Sequence, residues 1–156
     1  IGKQWPPSNF AELARRLLRD GLPGATVLLL GGPEDEGICA EIVAALPGVS
    51  VVASAGALDL LASAAAVARA ELFVGNDSGL MHIAAATGVP TLGLFGPSDE
   101  RVYGPRGARA MALRGPRTFE EVLSTGYMPH ITFSLMDDLP TDKVEAAARR
   151  LLTETA

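Results

Sequence analysis

Apolar residues along this chain follow two spacings, which predict two kinds of element. Short runs rich in Val, Leu and Ile have the length of buried strands, and longer stretches repeat apolar residues every three or four positions, as amphipathic helices do. The stretch 9–20 is of the second kind, and Asn9 with Glu12 fits a capping box at its start. The helical spacing predicts helices over residues 9–20, 34–46, 58–69, 80–87 and 141–153, the last of them capped.

The strand-like runs occupy residues 26–30, 49–53, 72–74, 89–95 and 110–113. Strands and helices therefore alternate with short connections, which is typical of right-handed βαβ units that build a parallel sheet covered on both faces. We predict an α/β fold: one Rossmann-like three-layer domain over residues 1–156. Residues 114–139, rich in Gly, Pro, Ser and Thr, predict an irregular excursion.

Ligands of such sheets bind at the carboxyl ends of the strands. Three predicted strands end in glycine-rich sequence, at Gly31-Gly32, at residues 75–79 and at Gly96-Pro97. These three places are the candidate parts of a binding site.

The segment 75–82 reads Gly-Asn-Asp-Ser-Gly-Leu-Met-His and turns a strand directly into a helix. The first helical amides lack intrahelical partners and carry the positive end of the helix dipole, so a phosphate fits there. Gly79 removes a side chain where a diphosphate would approach, Ser78 can add a hydroxyl donor, and His82 lies on the same helical face as Ser78.

Asp77 needs an explanation, because a carboxylate repels a phosphate. We interpret it as capping the helix by accepting amide hydrogen bonds, or as binding a ligand hydroxyl. Residues 76–79 also form a good turn and helix cap, which would account for any one of them without a ligand.

Two charged residues lie near the same predicted edge. Lys3, just before Trp5-Pro6-Pro7, enters the first helix where a cation could reach the phosphate, although it also suits a solvated terminus. Glu36 follows Gly31-Gly32 as an acid that meets a ribose hydroxyl would, although it also suits the first turn of a helix.

Composition narrows the possible partners. The formal net charge of −5 comes without a Lys/Arg cluster, so we expect no nucleic-acid partner. Cys39 is the single cysteine and His82 and His130 are the two histidines, so we predict no disulfide and no metal site. We also expect no membrane span, no signal peptide and no cofactor.

The order of these motifs resembles the C-terminal domain of the lipopolysaccharide heptosyltransferases, glycosyltransferase family 9, of GT-B fold. The resemblance runs from Lys3 to about Pro105. Its segments are Lys3-x-Trp5-Pro6, Gly31-Gly32-Pro33, residues 76–86 (Asn-Asp-Ser-Gly-Leu-Met-His-Ile-Ala-Ala-Ala), Leu94-Phe95-Gly96-Pro97-Ser98-Asp99 and Tyr103-Gly104-Pro105.

The resemblance implies transfer of a heptose from ADP-heptose to the lipopolysaccharide core, with inversion and without a metal. It implies a nucleotide-sugar-binding lobe, a fragment without the N-terminal lobe that binds the acceptor and supplies the general base. A first strand is expected just before Lys3, with at most Ile1 present. The implied location is the cytoplasm, with at most peripheral contact at the inner face of the inner membrane.

The donor-binding residues that the resemblance implies are Lys3, Glu36, Leu58, Asp77, Ser78, Gly79 and His82. Lys3 matches the lysine at the donor phosphates, Glu36 the acid at the ribose, and Leu58 lies near the expected adenine pocket. Ser78 stands where many relatives carry Thr, which keeps the hydroxyl.

Two features leave alternatives open. Residues 115–134 match no family pattern, and no residue of this chain is an obvious general base, so no catalytic residue is predicted here. The rival interpretations are another GT-B glycosyltransferase, a sugar-nucleotide epimerase lobe, or a non-catalytic domain that binds a nucleotide.

Overall fold

The structure, a computed structural model, describes residues 2–124 and 133–154. The helices are α1 (Pro7–Asp20), α2 (Glu36–Ala44, after a 3-10 turn at Pro33–Asp35), α3 (Leu60–Val67), α4 (Gly79–Thr87), α5 (Glu100–Tyr103), α6 (Phe119–Ser124) and α7 (Thr141–Thr153). The strands are β1 (Val27–Leu29), β2 (Val51–Ala53), β3 (Phe73–Asn76), β4 (Thr91–Phe95) and β5 (Ala110–Arg114). Among these elements, no helix combines the length and the hydropathy that crossing a bilayer requires.

All the strand pairs are parallel, as the alternating pattern predicts, but they form two pieces. β1 pairs with β2, while β4 lies between β3 and β5. The register places Val27 beside Val51 in the first piece and Asn76 beside Leu94 in the second.

Helices cover both faces of the larger piece, as expected for three layers. Every residue of β4 is buried, and its alternate side chains point to opposite faces. Leu92 and Leu94 pack into a cluster with α1 and α7, whereas a Cβ at Gly93 would lie 2.3 Å from the Met81 sulfur of α4. Gly93 therefore allows α4 to approach the sheet.

Helix α1 connects the two pieces of sheet. Its Leu13 and Leu17 belong to the cluster on β4, and its Ala11 belongs to a second cluster with Ile42 of α2. Phe10 packs against both clusters. One amphipathic helix thus covers the boundary between the pieces.

The predicted capping box at the start of α1 is wrong. The helix begins earlier, at Pro7, and Pro6 occupies the N-cap position without a side-chain cap. Proline at the first helical position needs no amide acceptor, which favours this start. Glu12 instead forms ion pairs with Arg15 and Arg16.

The predicted excursion 114–139 is partly helical. Helix α6 begins with a reciprocal capping box, in which the Thr118 amide donates to Glu121 at 2.7 Å and the Glu121 amide donates to the Thr118 hydroxyl at 3.1 Å. This Thr-x-x-Glu pattern is typical of a helix start, but a prediction based on apolar spacing does not detect it. Residues 125–132, with His130, lie outside the described residues, as does Ile1.

The terminal helix α7 has the predicted bounds but not the predicted cap. Pro140 is its N-cap and makes no side-chain hydrogen bond to the first turn. The helix is held by its apolar face, where Val144, Ala148 and Leu151 are buried. Cys39 is buried in α2, and burial raises the pKa of its thiol, as expected for a structural cysteine.

Candidate functional site

The centre of the candidate site is the turn from β3 into α4. The Asp77 amide donates to the Leu94 carbonyl at 3.1 Å, which continues the β3–β4 ladder by one residue. Ser78 then takes an extended conformation as the N-cap of α4, and its hydroxyl accepts the Met81 amide at 3.5 Å. The amides of Gly79 and Leu80 precede the first possible intrahelical bond and have no acceptor within the helix.

This helix start is open to solvent. Ser78, Gly79 and His82 are exposed, and a Cβ built on Gly79 would meet no atom within 4 Å. The fold itself therefore does not require glycine at this position. His82 lies in the first turn of α4, and within residues 2–124 and 133–154 it makes no hydrogen bond or ion pair.

Asp77 does not cap the helix, so that interpretation is wrong. Its carboxylate accepts a hydrogen bond from the Lys3 ammonium at 2.9 Å. The Asp77 side chain is 11% exposed and that of Lys3 is 47% exposed. Ser78 immediately precedes Gly79, the first residue of α4. The Ser78 hydroxyl, rather than the Asp77 carboxylate, therefore occupies the capping position.

Lys3 reaches Asp77 because the next residues are anchored. The Trp5 amide donates to the Asn76 side-chain oxygen at 3.0 Å, and the buried Trp5 indole donates to the Leu139 carbonyl at 2.9 Å. Trp5 also packs edge-on against Phe10, with ring centroids 4.9 Å apart. The segment before α1 is thereby held against the carboxyl end of β3.

Glu36 and Leu58 lie at the carboxyl ends of the smaller piece. Glu36 is exposed as the first residue of α2, and its carboxylate lies 3.2 Å from the position of a Cβ on Gly56. Leu58, two residues farther on and 36% exposed, precedes α3 rather than lying within it, because Asp59 is the N-cap. Gln4, the neighbour of Lys3, connects this region with the turn from β3 into α4, since its side-chain amide donates to the Asp35 carboxylate at 3.4 Å.

Sequence reasoning missed Arg114, the last residue of β5. Its guanidinium donates to the Gly96 and Ser98 carbonyls and, from Nε at 2.8 Å, to the Glu100 carboxylate. Only 10% of the Arg114 side chain is exposed. The hydrogen bond from Arg114 holds the pKa of Glu100 below its usual value. Arg114 thus fixes the loop that follows β4. An arginine at the end of an apolar strand is the feature of the sequence that could have indicated this role.

A separate hollow lies away from this site. A cavity of about 550 Å³ opens at the amino ends of β3 and β4, where Gly88, Pro90 and Arg109 line it. None of the predicted donor-binding residues lines this cavity. Within the described part of the chain, no three His, Cys, Asp or Glu residues are grouped as metal ligands. The site therefore offers a ligand one cation, the Lys3 ammonium, and the unpaired amides at the start of α4, both at the protein surface.

Comparison with known protein families decides the family. The model of "Glycosyltransferase family 9 (heptosyltransferase)" matches residues 1–125. The chain belongs to glycosyltransferase family 9. This result confirms the resemblance carried by the motifs from Lys3 to Pro105.

Relatives and solved structures of family 9 agree. The chain is 32% identical to lipopolysaccharide heptosyltransferase 2 of Escherichia coli over 99% of its own length and 44% of that protein. A family 9 glycosyl transferase from Veillonella parvula superposes with a TM-score of 0.82 at 28% identity, covering 99% of this chain and 44% of the other. An E. coli heptosyltransferase solved with ADP superposes with a TM-score of 0.72 at 25% identity, covering 96% and 40%.

These matches establish the fold as that of a GT-B lobe. The parallel strands and the helices on both faces correspond to solved family 9 structures. The chain spans less than half the length of the relatives that it matches.

Proposed function

We propose that this chain is the donor-binding lobe of a glycosyltransferase of lipopolysaccharide core biosynthesis, and that it holds ADP-heptose. The observation that carries the proposal is the Lys3–Asp77 ion pair beside the open amino end of α4. Unpaired amides at a helix start and a cation both favour the binding of a diphosphate, and this site has both.

The ion pair resolves the apparent conflict between Asp77 and a phosphate. The Asp77 carboxylate is mostly buried against Lys3, while the Lys3 ammonium remains about half exposed. Asp77 therefore orients the ammonium, and its own charge is compensated before any ligand arrives. The exposed part of Lys3 is free to contact a phosphate oxygen.

The Ser78 hydroxyl can still donate a hydrogen bond to the ligand. At 3.5 Å its bond to the Met81 amide is at the long limit for a hydrogen bond, and it uses the hydroxyl as an acceptor only. The hydroxyl proton can be donated to a phosphate oxygen without breaking the cap. Gly79 offers open space where a diphosphate would approach the amides.

Glu36 and Leu58 supply the proposed contacts with the nucleoside part of the donor. Glu36 lies exposed beside Gly56, where its carboxylate can accept from ribose hydroxyls, and the half-exposed Leu58 offers an apolar contact to adenine. Gln4 and Asp35 lie between this region and Lys3. An E. coli relative was solved with ADP, which supports the choice of an adenine nucleotide as the ligand.

In the complete enzyme, the lobe assists an inverting displacement by stabilising the leaving diphosphate. The amide of Gly79, the Ser78 hydroxyl and the Lys3 ammonium face the negative charge that develops as the heptose departs. Donors of this kind each contribute about 3 kcal/mol to transition-state stabilisation. The acceptor and the general base come from the second lobe, so this lobe alone binds the donor weakly and does not transfer the sugar.

Calorimetric titration with ADP, ADP-heptose and UDP tests the choice of ligand. We expect the two adenine ligands to bind and UDP to bind at least about tenfold more weakly, because the apolar contact at Leu58 suits a purine. Preference for UDP would contradict the heptosyltransferase assignment. Failure to bind any of the three would favour a simple turn and cap at residues 76–79.

One substitution and its control test the contact between Lys3 and the phosphate. Lys3→Met should weaken ADP binding by about tenfold to a hundredfold, as expected for a lost charged hydrogen bond. Arg69→Met is its matched control, because Arg69 is exposed after α3 at the opposite edge of the sheet. An equal loss of ADP affinity in both variants would show that the effect depends on the net charge of the protein and not on the position of Lys3.

Gly79→Ala separates binding from folding. The added methyl group meets no protein atom, and alanine is a better helix former than glycine, so the melting temperature should not fall. We expect ADP affinity to fall at least about tenfold, because the methyl group displaces a phosphate from the amides. Unchanged ADP affinity in this variant would exclude the α4 start as the diphosphate site.

A further inference from the structure

Gly56 lies where the loop after β2 crosses the loop after β1. Its φ is +68°, in the left-handed region that favours glycine. Its amide donates to the Gly31 carbonyl at 3.0 Å, which ties the loop after β2 to the carboxyl end of β1. We infer that Gly56 is a positioning residue, which sets the Glu36 carboxylate in place for the ribose of the donor. This role rests on the proposed function and adds to it a residue that acts through Glu36.

The backbone on the other side of the crossing is held in place. Pro33 begins the 3-10 turn that leads into α2, and two hydrogen bonds close this turn. The Asp35 amide donates to the Gly32 carbonyl at 3.0 Å, and the Gly32 amide donates to the Asp35 carboxylate, also at 3.0 Å. Proline fixes its own φ as well. The backbone of Pro33 therefore cannot move away from Gly56 without disturbing the turn.

The Glu36 carboxylate occupies the space that a side chain at position 56 would need. A Cβ on Gly56 would lie 3.0 Å from the Pro33 Cα and 3.2 Å from a carboxylate oxygen of Glu36. Contacts this short require one of the partners to shift. The Glu36 carboxylate ends a flexible, exposed side chain, so it moves more readily than the backbone of Pro33. Any side chain at position 56 would therefore push the carboxylate out of its place.

Packing on Gly56 is what places the Glu36 carboxylate. Among residues 2–124 and 133–154, the Glu36 side chain makes no hydrogen bond and no ion pair. A carboxylate that already rests in one place loses less conformational entropy when it accepts ribose hydroxyls. Gly56 thereby contributes to ribose binding through the orientation of Glu36.

The same crossing sets the spacing between Glu36 and Leu58. The Ala57 amide donates to the Ser54 carbonyl at 3.2 Å, so the loop turns at Gly56, and Leu58 follows just before the N-cap of α3. Ribose and adenine are joined by a single bond, so their two contacts must lie at a fixed spacing. Close approach of the two loops at Gly56 keeps both contacts within reach of one nucleoside.

Nucleotides with and without ribose hydroxyls test this role. Calorimetric titration of the full-length protein compares ADP with 2′,3′-dideoxy-ADP, which lacks the hydroxyls that Glu36 would accept. The parent should bind ADP at least about tenfold more tightly, as expected for hydrogen bonds to a charged group. Gly56→Ala should reduce this preference to less than about threefold, because the displaced carboxylate no longer meets the hydroxyls. Its affinity for inorganic pyrophosphate, which contacts only the phosphate region, should stay within about twofold of the parent value.

Gly48→Ala is the matched control. Gly48 has a φ of +77°, so alanine is strained there as it is at position 56, but a Cβ would meet no atom within 4 Å. Both variants should have a lower melting temperature, and only Gly56→Ala should lose the preference for ADP. Loss of the preference in both variants would show that backbone strain is responsible, and would overturn the inference.

Gly56→Asn separates strain from contact in a second way. Asparagine tolerates positive φ better than alanine does, but its Cβ meets the same atoms of Pro33 and Glu36. It should therefore fold with a smaller fall in melting temperature and still lose the preference for ADP. A retained preference in Gly56→Asn would overturn the inference.

Glu36→Gln identifies the group through which Gly56 acts. It should reduce the preference as Gly56→Ala does, and the double variant should reduce it no further. A full preference in Gly56→Ala, or a further reduction in the double variant, would overturn the role of Gly56 alone. A parent that binds the two nucleotides equally, or binds neither, would overturn the ribose contact of the proposed function and this role with it. The two failures are distinguishable, because the first appears only in the variants and the second already in the parent.

Discussion

Arg114 shows how much of the site depends on one residue that does not touch the proposed donor. Its guanidinium donates to two backbone carbonyls in the loop after β4 and to the carboxylate of Glu100, the first residue of α5. Ser98 of this loop is buried. Removing the guanidinium leaves these acceptors without a donor, which costs more than the hydrogen bonds contribute.

Arg114→Met should lower the free energy of unfolding by about 2–3 kcal/mol, measured by urea denaturation. Arg101→Met is the matched control, because Arg101 pairs with two carboxylates, those of Asp99 and Glu120, but its side chain is 67% exposed. Exposed ion pairs contribute little, so the control should lose less than about 1 kcal/mol. Similar losses in both variants would contradict the role assigned to Arg114.

The Arg114–Glu100 pair also predicts a dependence on pH. The pKa of Glu100 is lower in the folded state than its usual 4.5, mainly through the hydrogen bond from Arg114. The ionised pair therefore stabilises the fold fully above about pH 4.5, and the contribution is lost as pH falls through the lower, folded-state pKa.

Urea denaturation of the parent chain and of Glu100→Gln from pH 7 to pH 3 measures this contribution. The parent should be more stable at pH 7, and the difference should shrink below about pH 4.5. A constant difference across this range would show that ionisation of Glu100 is not coupled to folding.

At the scale of the element, helix ends decide where the site residues lie. Helix α4 ends at Thr87, and the next residue, Gly88, closes it with a left-handed φ of 83°. The Gly88 amide donates to the Ala85 carbonyl. The prediction from the sequence that Gly88 closes this helix is confirmed. At the other end, Ser78 rather than Asp77 is the cap, so Asp77 remains available for Lys3.

Gly88→Ala should lower the free energy of unfolding by about 1–2 kcal/mol, because an L-residue is strained in the left-handed region. Gly37→Ala provides a control of opposite sign. Gly37 lies inside α2 with no atom within 4 Å of an added Cβ, so alanine should stabilise by about 0.5–1 kcal/mol. Thermal and urea denaturation of both variants measure the two effects, and a loss at Gly37 would contradict the account.

The elements themselves were largely predictable, because apolar spacing and glycine stops are local signals. All five strands and five of the helices occur where the pattern places them, with ends shifted by a few residues. Helices α5 and α6 were missed because each is short and carries too few apolar positions to show a period. Their caps, Asp99 and Thr118, were nevertheless visible in the sequence.

At the scale of the whole molecule, stability depends on the cluster between β4 and the pair of helices α1 and α7. Leu94 belongs to this cluster, is fully buried and precedes Phe95, the last residue of β4 before the loop that Arg114 holds. Close packing around such a side chain means that truncation leaves a cavity. Helices α1 and α7 therefore hold the scaffold of the site.

Leu94→Ala should lower the free energy of unfolding by about 2–5 kcal/mol. Leu61→Ala removes the same atoms from a side chain that is 80% exposed and should change it by less than about 0.5 kcal/mol. Urea denaturation of the two variants gives the comparison. A small loss at Leu94 would show that this cluster is not the main core.

The sequence by itself determined the alternation of strands and helices, the family, and the glycine-rich turn at residues 75–79, because each depends on neighbours along the chain. The tertiary structure alone decided the partner of Asp77, since Lys3 is 74 residues away in sequence. It also decided the contacts of Arg114 and the division of the described strands into two pieces of sheet. These features depend on which strand ends become neighbours in space, and apolar spacing carries no information about such pairings.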